Sequence, residues 1–216
     1  MKDKTIQRSS YLRITAWSIS FVVILLAFVA WGEHLQWQFT HLTTYDVFPL
    51  FGLLAFSIMW SHYMAVELSW QFKITDKAVL YQYFRVTSFV VLAAICLHPG
   101  LLIWQLWRDG QGLPPSSYLH YVKPGLRFAV LLSTASLFIF LAYELKRWYG
   151  TRKWWRFVGY ASDLAMLAIF IHSLTLGTQI VGGWFRGVWF FYGASLVVVL
   201  LHKYIRKYNH RRLQQY

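Results

Sequence analysis

Cysteine and charge are both scarce in this chain of 216 residues. The single cysteine, Cys96, excludes an internal disulfide and leaves no partner for a thiolate metal site. Charged residues make up only 13% of the chain, about half the share of an ordinary soluble domain. Lys and Arg number 21 against 8 acidic residues, a net charge of +13. That excess does not point to nucleic acid, because the basic residues stand at the ends of apolar blocks, where cations face lipid headgroups. No lysine lies deep in an apolar block, which argues against a retinal Schiff base. No pair of blocks is clearly broken at its middle, which gives a transporter little support. A cleavable signal peptide is not expected either. Lys2, Lys4, Arg8 and Arg13 precede an apolar run that is longer than a typical signal core, and WGEH follows it in place of small residues.

Long hydrophobic runs are what the chain does have. It is 57% hydrophobic, and the apolar residues form blocks of roughly 17–22, the length of a membrane-spanning helix. Six are predicted, at about 14–31, 47–66, 86–107, 126–143, 157–177 and 184–201. The expected fold is therefore all-α: a polytopic six-transmembrane-helix bundle, one domain over residues 1–216. The 12 Trp and 14 Tyr suit the lipid–water interface, where an apolar ring and a polar tip are both satisfied. Lys and Arg concentrate in the N-terminus, the 69–85 and 144–156 loops and the tail. The positive-inside rule then places both termini in the cytoplasm, in the cell (inner) membrane. The tail HKYIRKYNHRRLQQY is expected to continue as helix beyond the bilayer.

Two of these blocks carry an internal histidine, His98 in the third and His172 in the fifth. With both termini inside, the two blocks run in the same direction. His98 lies 13 residues after Arg85, and His172 lies 16 after Arg156. At about 1.5 Å per residue, those are depths of roughly 20 and 24 Å from the inner edge, both in the outer half of a core about 30 Å thick. Two imidazoles at matched depth are candidate axial ligands for a haem iron. Arg108, Lys123, Arg127 and Arg186 lie on the outer side to meet anionic propionates. Ala93, Ala94, Gly100, Ala168, Ser173 and Gly177 are small enough to leave room for a ring, although small residues also simply let helices pack closely. The plain alternative is that each histidine hydrogen-bonds a neighbouring helix and does nothing else; spacing alone weighs the two equally.

Three stretches carry a family resemblance. LHPGLLIW (Leu97–Trp104) resembles the third-helix histidine motif of ferric-reductase-like transmembrane domains. WWRFVGYASDLAMLAIFIHSLTLG (Trp154–Gly177) resembles their fifth-helix signature, and FGLLAFSIMW (Phe51–Trp60) the helix that opens their core. The resemblance covers roughly 47–201. It implies a six-helix membrane cytochrome with His98 and His172 as the outer haem ligands, holding haem b. Members with two haems place a further histidine about 13 residues inward on each helix. Here those positions are Phe84 or Arg85, and Gly159 or Tyr160, so one haem is expected. The flavin and nicotinamide domains of the large members are absent from this sequence, so a separate reductase or a quinol is the expected electron donor.

Other residues complete the expectations. His62 and His202 form a weaker candidate pair for an inner haem, with a packed or interfacial His62 favoured. Asp163 is expected to sit in an ion pair with Arg85 or in a hydrogen bond to a tyrosine, ahead of a proton-relay or quinone-site role. Glu67 and Glu144 are expected as interface charges, and His34, His41 and His120 as solvated outer residues. The sequence thus predicts an electron-carrying membrane cytochrome, the haem-bearing subunit of an oxidoreductase. The competing expectation is a cofactor-free scaffold or accessory subunit of a larger membrane complex.

Overall fold

A computed structural model describes residues 2–74, 77–149 and 155–213. The elements are helices α1 (Lys2–His34), α2 (Thr44–Gln71), α3 (Tyr81–Arg108), α4 (Ser116–Tyr121), α5 (Arg127–Tyr149), α6 (Trp155–Leu176) and α7 (Trp184–Leu213), with three short 3-10 turns between them. Among the described residues there is no strand, and six helices, all but α4, are long and apolar enough to cross a membrane. The six correspond to the six predicted blocks. Each extends past its apolar run because hydrophobicity marks only the part of a helix inside hydrocarbon. The tail is helical to Leu213, as expected. Lys153 and Trp154 of the basic ramp before α6, and Asp76 in the α2–α3 connection, lie outside the described residues.

Local chemistry sets several of the ends. The Asp46 carboxylate accepts both the backbone N–H of Thr43 (2.9 Å) and its hydroxyl (2.6 Å), fixing the start of α2. With that start, Pro49 sits in the second turn of α2 rather than in its first. Pro99 lies inside α3, directly after His98, and removes one backbone hydrogen bond there.

The core is built around α2, which packs on α1 and α3 and also touches α6 and α7. Val23 and Ala27 of α1, Phe56 and Trp60 of α2, Met166 of α6 and Trp189 and Tyr192 of α7 are all buried in it. Ring pairs tie α2 to α7: Phe56–Trp189 at 4.7 Å and Trp60–Tyr192 at 4.5 Å. The rest of the apolar surface points outward, with Phe89 74% exposed and Phe128 71%. A large apolar surface of this kind belongs against acyl chains. The chain is a multi-pass membrane protein in a bilayer environment.

Two packing units stand out. The helix α3 lies along α2, and α5 lies along α6. Between α3 and the α5–α6 pair there is no extended backbone contact among the described residues. The histidines singled out above sit on opposite sides of that seam.

Candidate functional site

His98 projects from α3 and donates its Nδ1–H to the backbone carbonyl of Phe48 on α2, at 2.8 Å. His172 projects from α6 and donates its Nδ1–H to the carbonyl of Ala129 on α5, at 3.0 Å. A carbonyl only accepts, so each neutral ring carries its proton on Nδ1 and presents a bare lone pair at Nε2. No hydrogen bond to either Nε2 is present among the described residues. Metal-ligating histidines share this second bond, with one ring nitrogen anchored on a carbonyl and the other left for the metal.

A glycine makes the His98 position possible. Phe48 and Gly52 are four apart on α2, so the missing side chain of Gly52 opens the face of the helix on which the Phe48 carbonyl lies. A Cβ at Gly52 would come 2.8 Å from His98 Cε1 and 2.9 Å from Nδ1. The Phe48 ring covers His98 from one side, 5.3 Å between centroids. A second glycine supports the other histidine from behind. Gly193 on α7 receives the ring of Phe170, two residues before His172, and a Cβ there would lie 2.2 Å from it. Ser173 donates to the Phe170 carbonyl and accepts from Trp189 Nε1 at 2.7 Å, which ties this turn of α6 to α7.

The donor set suits some chemistry and not other. Among the described residues no three His, Cys, Asp or Glu side chains gather as a bare metal ion would require. His34, His41 and His120 thus form no cluster, and His120 Nδ1 is engaged with the Ser116 carbonyl. A haem iron needs only two axial donors, because the macrocycle supplies the other four. Of the small residues considered, Ala94 is buried in packing and Ser173 is committed to α7, whereas a Cβ at Gly100 would meet nothing within 4 Å.

The other half of the bundle, toward the C-terminal end of α2 and the start of α3, is filled differently. His62 bonds Thr87 Oγ1 at 2.7 Å; that hydroxyl gives its proton to the Tyr83 carbonyl, so His62 Nε2–H is the donor. Phe84 packs edge-on against His62 at 5.2 Å. His202 faces Glu67, at 3.4 Å. The pair His62 and His202 therefore does not face a common space as ligands would; His62 is the packed residue expected. Nearby, the hydroxyls of Ser20, Ser61 and Tyr83 form a buried triangle with sides of 2.8–2.9 Å, joining α1, α2 and α3.

Asp163 is only 4% exposed and is saturated. Lys203 reaches its two oxygens at 2.8 and 2.6 Å, Tyr63 donates at 2.9 Å and Tyr204 at 2.6 Å. The expected tyrosine bond is present, but the ion-pair partner is Lys203 on α7 rather than Arg85. Glu67, near the end of α2, has a partner the sequence did not suggest. It is 6% exposed and held by both guanidinium nitrogens of Arg206 at 2.9 and 2.6 Å. Both cations come from the tail, one and two turns past the last apolar block.

Comparison with known proteins brings no match, whether to a family profile, a curated protein or a solved structure.

Proposed function

We propose that the protein is a membrane cytochrome that holds one b-type haem between His98 and His172 and carries electrons within or across the cell (inner) membrane, with both termini in the cytoplasm. One observation carries this reading: two histidines, on helices from different packing units, both anchored through Nδ1 on a carbonyl and both presenting Nε2. Purely structural histidines would tend to use their second nitrogen as well, since an unused polar group in a bilayer is expensive.

Each residue has a defined task. Phe48 and Ala129 hold the tautomer and aim the rings. Gly52 gives His98 its place. Phe170, wedged on Gly193, fixes the turn that bears His172. Bound there, the haem would supply a one-electron carrier whose potential is set by its ligands, burial and hydrogen bonds. A single haem is favoured because the inner positions are taken: Phe84 packs on His62, and Tyr160 stacks on Tyr204 at 5.9 Å. A separate reductase or a quinol would supply the electron.

The test is a reduced-minus-oxidised spectrum and a pyridine haemochrome assay on protein expressed with ample haem. The expected result is one b-type haem per chain, lost in both His98→Ala and His172→Ala, while circular dichroism stays helical. No haem absorbance in the wild type would overturn the proposal and leave a cofactor-free scaffold.

A further inference from the structure

A groove of about 310 Å3 runs between α6 and α7 on the side of the charged helix ends. Tyr160, Leu164 and Leu167 line it from α6, and Val197, Leu201 and Tyr204 from α7. Both sets are spaced at three or four residues, so each is one face of its helix. The helices are antiparallel, which places Tyr160, Tyr204 and Asp163 at one end and Leu167 and Val197 at the other. The groove is therefore polar at the membrane face and apolar toward the middle, the profile of an amphipathic lipid.

The charges at the polar end select the head. Three cations stand on the adjoining turns of α7. Lys203 is neutralised by Asp163 and Arg206 by Glu67. Lys207 has no carboxylate among the described residues; its ammonium bonds the Tyr160 hydroxyl and lies 4.2 Å from that ring's centroid. That leaves ammonium protons for a further acceptor. Arg156 lies one turn before Tyr160 on α6, is exposed, and among the described residues rests on the ring of Phe157, at 5.1 Å. Two cations with no carboxylate partner among the described residues thus stand on the turns next to Tyr160, at the polar end of the groove. We propose that the α6–α7 groove holds one anionic phospholipid, its phosphodiester against Lys207 and Arg156 and an acyl chain along Leu164, Leu167, Val197 and Leu201. The proposal stands independently of the haem reading.

Native mass spectrometry in mild detergent tests it. Purified protein is titrated with phosphatidylglycerol, with phosphatidylcholine of the same chains, and with inorganic phosphate. The expected result is one tightly retained phosphatidylglycerol per chain, with weaker phosphatidylcholine and no retained phosphate. Lys207→Gln should weaken the anionic lipid about five-fold, and the double variant with Arg156→Gln more, each cation near a membrane surface being worth about that factor. Lys207→Arg should restore it, and Val197→Trp should lower retention by filling the groove. Equal retention of the two lipids by the wild type overturns the proposal without any variant. Free phosphate binding, or a neutral quinone co-purifying in the groove, also overturns it.

Discussion

The substitution Gly52→Ala probes the site without touching either histidine. The added methyl would sit 2.8 Å from His98 Cε1 and 2.9 Å from Nδ1, closer than carbon atoms tolerate. Alanine is a better helix former than glycine by about 0.8–1 kcal/mol. Against that stands the His98–Phe48 hydrogen bond, worth about 1 kcal/mol, and overpacking of about 1–3 kcal/mol. The steric cost wins, and the net destabilisation is about 1–3 kcal/mol. The ring must leave the Phe48 carbonyl, so Nδ1 loses its fixed proton and Nε2 its direction. Thermal unfolding in detergent should show a lower midpoint, and the haem spectrum should weaken or lose its two-histidine signature. Gly187→Ala is the control: nothing lies within 4 Å of its Cβ, so propensity alone acts and stability should hold or rise by up to about 1 kcal/mol. If Gly52→Ala melts with the wild type and keeps its haem spectrum, the geometry assigned to His98 is wrong.

Three further perturbations follow from the packing and the charges. Asp163→Asn should destabilise by about 2 kcal/mol, the scale of charged hydrogen bonds; this is less than a fully buried pair would cost, because 45% of the Lys203 side chain keeps water. Urea-free thermal scans should show it, with Asp163→Leu/Lys203→Leu closer to the wild type than Asp163→Leu alone. Gly193→Ala drives a Cβ to 2.2 Å from Phe170, and should lower the melting point and perturb the His172 side while leaving His98 unmoved, a difference that ring NMR of labelled histidine can read. Just past the end of α3, Asp109 accepts from Tyr45 and Gln105, which holds its carboxyl below the usual range. A lowered folded value means that the contribution is complete above the ordinary carboxylate value of about 4 and is lost as pH falls through the lowered value. Asp109→Asn should flatten the acid limb of a stability–pH profile, and an unchanged limb would refute that role.

The six helices were legible because blocks of 17–22 apolar residues have few other uses. Rise per residue also converts sequence distance to an expected height, which is what singled out His98 and His172. What spacing could not supply was direction around the helix axis. Gly52 illustrates it: the only sequence signal was a lone glycine in an apolar helix, and its partner lies 46 residues on. Lys203 and Arg206 were hidden for another reason. A hydropathy boundary at Leu201 assigns them to the solvent, yet long side chains fold back along the helix to reach carboxylates beneath. Arg85 was the candidate expected from its place at the start of an apolar block, and Lys203, 40 residues from Asp163, is the partner in space.

The seam between α3 and the α5–α6 pair has a thermodynamic consequence. Any molecule gripped by both Nε2 atoms acts as a cross-link between two bodies that, among the described residues, are otherwise joined mainly through α2, α4 and α7. Such a molecule binds the closed arrangement alone, so its binding free energy becomes cohesion: about 2.7 kcal/mol when present at a hundred times its Kd. Without it, the bundle should breathe first along α3 and α5, the two long helices with the least buried surface. With it, amide exchange in both should slow together, although the two share no extended contact among the described residues.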